Sequence, residues 1–277
     1  VSAVIFACLP FVSLPHPYVG RTVEQLSPGQ VARLPDFPPS RTGAFEPNTE
    51  LRRAVRLFEG QVQGSEAVEV SADGRLLMLD KFGRLFTADD KLQLSPPQHI
   101  NLVGRPLGFH EDSQGRLVIA DTVAGLVRWD PATNTTVILT NAVDGERFPY
   151  VNAMTIAKDG GIYFSSSSEG TVARNAAGFY DTMQSSQLNM VRGDASGQLL
   201  HYDPSTGKTT RLLSDLWFAN GVALSPEEDY VLVVETMGYR MVRLWLKGER
   251  RGEAETLVGM LPGFPDGIAP AEGGGFW

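Results

Sequence analysis

Four side chains that carry oxygen recur at one position of a repeated sequence pattern. Each lies at the start of a segment that is predicted to form a strand, a tight turn and a second strand. The four residues are Glu66, Asn152, Asn220 and Asp266. Carboxylate and amide oxygens are the ligands that hard cations prefer, Ca²⁺ above all. Together they predict an all-oxygen site for Ca²⁺ or another divalent cation. For Asn220-Gly221 alone, the ordinary alternative is a turn, because both residues tolerate a positive φ.

The repeated pattern is what would bring these side chains together. Copies lie at 65–80, 106–122, 151–168 and 220–236, and a further copy begins at 265. Hairpins that recur about every 40–50 residues are typical of a β-propeller, whose blades are four-stranded sheets. The innermost strands surround one central channel, so residues at equal depth on different blades converge on its axis. The second copy departs from the pattern, because it carries Leu107 at this position.

The remaining segments define the expected domain boundaries. Residues 1–14 are almost wholly apolar, which is typical of the tail of a signal peptide or signal-anchor. Residues 15–50 are rich in proline, so an extended arm is expected there. The propeller is predicted over residues 51–277, and its last blade is expected to be incomplete because the final copy stops in mid-blade at Trp277.

Two segments interrupt the run of hairpins. Residues 48–60 have an amphipathic pattern, which predicts a short helix leading into the domain. The longer gap between the third and fourth copies, residues 169–196, is expected to form a loop over one face of the propeller.

Composition narrows the class of partner. The chain has 277 residues and a net charge of −8, and no basic stripe that would neutralise phosphates, so nucleic acid is excluded as a partner. Cys8 is the single cysteine, so no intrachain disulfide can form. The triplet Asn134-Thr135-Thr136 is a glycosylation sequon if the chain enters the secretory pathway. With the apolar start, we expect a lumenal or membrane-anchored protein of the secretory pathway, in the endoplasmic reticulum or at the plasma membrane.

Long stretches of the sequence resemble the strictosidine synthase-like family, in order over residues 45–277; among them are "GRPLGF", "FPYVNAMTI", "FANGVALSPEEDYVLVVET" and "LPGFPDGIAP". The resemblance is nearest to the branch of adipocyte plasma membrane-associated proteins. It implies an all-β, six-bladed propeller, distantly related to paraoxonases and to the gluconolactonase and regucalcin group. In those relatives the matching Glu, Asn, Asn and Asp bind a catalytic divalent cation, often calcium. Here these positions are Glu66, Asn152, Asn220 and Asp266.

Several positions depart from those relatives and leave the expected site with fewer acidic groups. Ala67 stands where paraoxonases have an aspartate, and Ala153 replaces the usual aspartate after the first asparagine. Leu107 stands where paraoxonases have a histidine. His110, three residues later, is therefore the candidate base, and a surface histidine is the alternative interpretation of it.

Three functions fit this pattern. The first is a calcium-dependent hydrolase that acts on a small ester or lactone, in which the cation polarises the carbonyl as a Lewis acid. The second is a Pictet–Spengler lyase of the strictosidine synthase type, whose acid–base glutamate lies beyond the "GGFW" motif that ends this chain. A glutamate at position 66 fits the metal-binding relatives better than that synthase. The third is a membrane-tethered binding propeller without catalysis, in which the cation is structural.

Overall fold

Four antiparallel sheets of four strands follow one another along the described chain. The computed structural model describes residue 42, residues 45–271 and residues 273–277. Within each of these sheets the strands lie in the order of the sequence. Such meanders are the blades of a propeller, so the prediction of an all-β propeller is confirmed.

The bounds of the strands are as follows. Blade 1 contains β1 (Val68–Val70), β2 (Leu76–Leu79), β3 (Arg84–Ala88) and β4 (Gln98–His99). Blade 2 contains β5 (Pro106–Glu111), β6 (Leu117–Asp121), β7 (Gly125–Asp130) and β8 (Thr135–Thr140), and a small hairpin follows it, formed by β9 (Ala142–Val143) and β10 (Glu146–Arg147). Blade 3 contains β11 (Val151–Ile156), β12 (Ile162–Ser166), β13 (Gly197–Asp203) and β14 (Lys208–Leu216). Blade 4 contains β15 (Ala219–Leu224), β16 (Tyr230–Glu235), β17 (Arg240–Trp245) and β18 (Ala254–Val258).

The core consists of apolar layers between neighbouring blades. Because the middle strands are covered on both faces, they are continuously buried, as β6 is over its whole length. Trp129 of β7 is the largest fully buried side chain, and its indole nitrogen donates to Asn134 Oδ1 at 2.9 Å. Asn134 itself is exposed in the turn between β7 and β8. The layers fix the blades against one another and so set the geometry of the channel.

The last described residues begin a further hairpin beside blade 4. Ala269 and Trp277 exchange two backbone hydrogen bonds, at 3.2 and 2.8 Å. The backbone N–H of Gly221 in β15 donates to the carbonyl of Asp266 at 3.0 Å, so this segment lies next to the innermost strand of blade 4. The described residues thus form four blades and the start of another, and the count of six blades stays a prediction.

Two segments differ from their expected structure. Residues 169–196 contain helix α1 (Thr182–Arg192) rather than only loop, capped by Asp181, which accepts from the Gln184 N–H, and by Gly193 in the left-handed region. In the amphipathic segment 48–60, the predicted short helix is limited to a 3₁₀ turn, Glu50–Arg53.

The expected signal or anchor segment, residues 1–14, lies outside the described residues, as does most of the proline-rich arm. Within the part of the chain that the structure describes, no helix combines the length and the apolar character needed to cross a bilayer.

Candidate divalent-cation site

The four predicted ligands lie together beside the innermost strands, where two cavities meet. They line two cavities at once: an inner cavity of about 320 Å³, which also includes Leu107 and His110, and a mouth cavity of about 340 Å³, which also includes residues of α1. Because each of the four residues contacts both cavities, they form the ring where the two cavities meet. The residues of this ring are Glu66, Asn152, Asn220 and Asp266.

The two asparagines are presented by β-bulges in innermost strands. Asn152 lies in β11 and Asn220 in β15, and the register of each strand shifts just at these residues, after Val151 and after Ala219. A bulge leaves one residue out of the ladder and redirects its side chain. The alternative interpretation of Asn220-Gly221 as a turn is therefore wrong, because both residues belong to a strand.

The glycine after Asn220 is required by a neighbouring strand. A Cβ atom on Gly221 would lie 2.6 Å from the carbonyl oxygen of Asp266, which is closer than such atoms can approach. Gly108 occupies the corresponding bulge of β5, where a Cβ would lie 3.0 Å from the Cα of Ala153. Small residues at this position let the innermost strands approach closely, and this approach brings the ring residues together.

The amide group of Asn152 has one orientation that satisfies its surroundings. Ser167 donates its hydroxyl hydrogen to the carbonyl of Ala219 at 2.8 Å, so its oxygen is free to accept from Asn152 Nδ2 at 2.9 Å. This arrangement fixes which end of the amide is nitrogen. Oδ1 of Asn152 receives no hydrogen bond from the described residues. It is therefore available as a ligand on the channel.

Asn220 is oriented in the same way by a different hydroxyl. Its Nδ2 donates to Thr236 Oγ1 at 3.1 Å and also to the carboxylate of Asp266. Oδ1 of Asn220 likewise has no donor among the described residues. No motif in the sequence marks Ser167 or Thr236, so their roles become evident only from these contacts.

The surroundings of Glu66 in the ring change its acidity. It is accessible to water inside the channel, yet protein surrounds it on most sides. This burial, followed by the negative charge of Asp266, raises its pKa to about 7, and Arg105 acts in the opposite direction. A cation between Glu66 and Asp266 would relieve their repulsion.

Comparison with known proteins identifies the family. The profile of strictosidine synthase matches residues 152–249, and that of the strictosidine synthase-like N-terminal region matches residues 43–87. The chain belongs to the strictosidine synthase-like family. It is 35% identical over 257 residues to the adipocyte plasma membrane-associated protein of Rattus norvegicus. The matched region covers 87% of this chain and 65% of that protein. It is 29% identical to protein strictosidine synthase-like 3 of Arabidopsis thaliana, covering 92% of this chain and 70% of that protein.

Solved structures share the propeller fold at lower identity. A gluconolactonase from Xanthomonas campestris superimposes with a TM-score of 0.61 at 21% identity, over 78% of this chain and 69% of that chain. The calcium-binding protein regucalcin from Agrobacterium tumefaciens superimposes with a TM-score of 0.57 at 18% identity, over 78% of this chain and 67% of that chain. This strictosidine synthase-like chain thus has the fold of the gluconolactonase and regucalcin propellers. It spans less than two thirds of the rat relative's length.

The candidate base lies away from the mouth in this member of the family. His110 contacts the inner cavity but not the mouth cavity, so it lies on the inner side of the ring. Its Nδ1 is 3.2 Å from a carboxylate oxygen of Glu69, which also accepts the backbone N–H of Glu111. These contacts tie β5 to β1, which is a structural role.

Arg105 is a further site residue that sequence reasoning missed, although it lies in the quoted "GRPLGF" motif. Its guanidinium donates to Thr182 Oγ1 at 2.6 Å and to the Gly64 carbonyl at 3.4 Å, and its buried Nε has no hydrogen-bond partner within the described part of the chain. Its backbone N–H donates to Thr122 Oγ1 at 2.9 Å. Arg105 therefore connects α1 to the start of blade 1 and places a positive charge near Glu66.

The donor set fits a hard cation in number and type. Two carboxylates and two free amide oxygens supply four oxygen ligands, and Ca²⁺ takes its remaining ligands from water or substrate. Among the described residues, no three His, Cys, Asp or Glu side chains cluster closely enough to hold a metal. The candidate site therefore depends on its two asparagines as much as on its two acids.

Proposed function

We propose that this protein is a calcium-dependent hydrolase of small esters or lactones. The observation that carries the proposal is the ring where the two cavities meet, which combines two asparagines that have free amide oxygens with two carboxylates. Ca²⁺ bound there would act as a Lewis acid on the substrate carbonyl and stabilise the negative charge that develops on its oxygen. The ring residues would hold that cation.

Other residues of the chain would bind the substrate, orient the ligands and accept the proton in the proposed hydrolysis. The mouth cavity receives the substrate, and its floor, where Tyr150 and Phe218 are buried, excludes water from one side of the carbonyl. Ser167 and Thr236 keep both asparagine oxygens on the channel. Since His110 lies beyond the ring, the carboxylates are the groups in position to accept a proton from water.

The protein is further proposed to be membrane-associated in the secretory pathway. Two observations support this: the relatives' name, adipocyte plasma membrane-associated protein, and the apolar residues 1–14. The exposed position of Asn134 is compatible with glycosylation of its sequon.

The test of the hydrolase proposal is an assay of the full-length protein with phenyl acetate, in calcium and then in chelator. The proposal predicts that turnover is lost in chelator and in Asn220→Ala, and that Asn101→Ala, which changes an exposed asparagine outside both cavities, keeps it. Turnover that is indifferent to both chelator and Asn220→Ala would refute the proposal.

A binding propeller without catalysis is the second candidate. The observation that favours it is Leu107, a buried apolar side chain that packs with Tyr150 and Phe218 at the position where the paraoxonase resemblance implies a histidine. In that case calcium would bind and stabilise the protein, and no ester would be turned over.

A further inference from the structure

The mouth cavity has two chemically different ends. One end is the ring of carboxylates and amides described above. The other end is apolar, and its side chains are Met183, Met190, Phe218, Met237 and Phe264. A volume of about 340 Å³ lies in the range of small-molecule sites, about 300–1,000 Å³, which are mostly apolar with a few placed polar groups.

The floor of the apolar end is fixed in place. Phe218 is buried, and the ring of Tyr150 meets it edge to face with centroids 5.5 Å apart. Met237 packs against the same cluster. The hydroxyl of Tyr150 donates to the carbonyl of Thr182 at 3.4 Å, so the floor is also joined to α1.

The roof, by contrast, is formed by exposed methionines. On α1, Met183 is 65% exposed and Met190 is 48% exposed, whereas the buried residues of the helix are polar: Thr182, Ser185 and Asn189. A helix on a protein surface ordinarily buries its apolar side chains. The reversed arrangement leaves flexible thioether side chains beside the cavity, where an apolar occupant would cover them.

We infer that the mouth cavity binds a neutral ester or lactone that carries a flexible aliphatic chain, with the chain among the methionines and the carbonyl at the ring. This inference rests on the proposed function and names its substrate class. A neutral carbonyl is the group that a cation held by Glu66 and Asp266 would polarise, as the proposed function requires. An aliphatic chain is favoured over a flat ring because three of the five apolar side chains are methionines, which adapt to irregular shapes.

The probe is a series of methyl alkyl ketones, from acetone to 2-octanone, titrated calorimetrically into the full-length protein in calcium. A ketone has the carbonyl but no leaving group, so binding is measured without turnover. Burial of each added methylene should tighten Kd about fourfold. Met190→Ser should reduce this dependence on chain length. Val191→Ser is the matched control, since Val191 is 58% exposed on the same helix but does not line the cavity.

Several outcomes would overturn the inference. One is an affinity that does not change with chain length, or that is unchanged in both Met190→Ser and Met183→Ser. Another is tighter binding of acetophenone than of 2-octanone. A third is that Met190→Ser leaves ketone binding intact but abolishes sedimentation with phosphatidylcholine vesicles, because the methionines would then contact a membrane.

The proposed function is tested separately, by measuring the hydrolysis of alkyl esters that have the same chain lengths. If no ester is hydrolysed but ketone affinity rises with chain length, the binding site stands and the hydrolase proposal fails. If esters are hydrolysed in calcium but neither turnover nor ketone affinity depends on chain length, the hydrolase stands and this inference fails.

Discussion

Asn220 donates an amide hydrogen to the carboxylate of Asp266, 46 residues further along the chain and in the next copy of the repeat. The backbone of Gly221 reinforces this contact by donating to the carbonyl of the same residue at 3.0 Å. One blade thus positions the acidic side chain of Asp266, a predicted ligand that the following segment supplies. We therefore expect cation binding to be linked to the docking of residues 265–271 on blade 4.

Calcium should raise the melting temperature of the full-length protein. A ligand that binds only the folded state adds about 2.7 kcal/mol at 100 times its Kd, which corresponds to several degrees. Asp266→Ala should remove most of this difference, and Asp90→Ala, at an exposed position outside both cavities, should preserve it. Thermal melts with calcium and with chelator check the prediction, and equal melts for the unmodified protein would contradict the assignment of the site.

The stability of the calcium-free protein should fall as the pH rises from about 4.5 to about 7. Burial and the charge of Asp266 raise the pKa of Glu66 to about 7 from an ordinary value of 4.5, so the folded state holds this proton more tightly than the unfolded chain. The resulting stabilisation is complete below pH 4.5 and is lost as the pH passes through about 7.

Urea denaturation in chelator at pH 5 and pH 8 measures this change. Glu66→Gln should reduce the pH dependence, Glu249→Gln at an exposed position should not, and calcium should stabilise more at pH 8 than at pH 5. A calcium effect that is larger at pH 5 would contradict the prediction.

Gly221→Ala should destabilise the protein by about 1–3 kcal/mol, because the new methyl group would collide with the backbone of Asp266 and Ile268. It should also weaken calcium binding, since the acidic ligand is displaced. Gly263→Ala is the control, because a Cβ there meets nothing within 4 Å and the backbone is not left-handed. Chemical denaturation and calcium titration of both variants test this prediction. If both variants lost similar amounts of stability and calcium affinity, close approach of the strands would not be the reason that position 221 needs glycine.

Ser167→Ala should lower calcium affinity about 10–100-fold, the usual effect of removing a group that orients a metal ligand. Without the hydroxyl, nothing fixes the amide of Asn152 with its oxygen on the channel. Ser214→Ala, at an exposed position, should leave affinity unchanged. Calorimetric titration with calcium is the measurement, and an unchanged Kd in Ser167→Ala would show that Asn152 is not a ligand or does not need this support.

The repeated hairpins could be predicted from the sequence because their signals are local. Alternating apolar residues and tight turns need no knowledge of distant contacts, and in the turn of the first copy Gly74 has the positive φ that such turns favour in glycine. The grouping of the ring residues followed from propeller geometry, since equal positions in repeated strands face one axis.

The errors came from features that depend on the tertiary structure. The pair Asn220-Gly221 has the composition of a turn, and only the neighbouring carbonyl of Asp266 explains why glycine is needed within a strand. Helix α1 escaped detection because it buries Thr182 and Ser185 and exposes Met183, which removes the apolar periodicity that identifies a helix. The role of Ser167 depends on a carbonyl 52 residues away.

The bulge shared by β5, β11 and β15 makes the set of side chains that face the channel modular. Each of these repeats offers one side chain to the axis through the same backbone distortion, so the chemistry of the channel can change one position at a time while the framework stays constant. Leu107 shows the result at β5, where the same backbone presents an apolar side chain that joins the buried cluster under the mouth. Divergence in this fold can therefore proceed by exchanging one residue per blade, without insertions or a new scaffold.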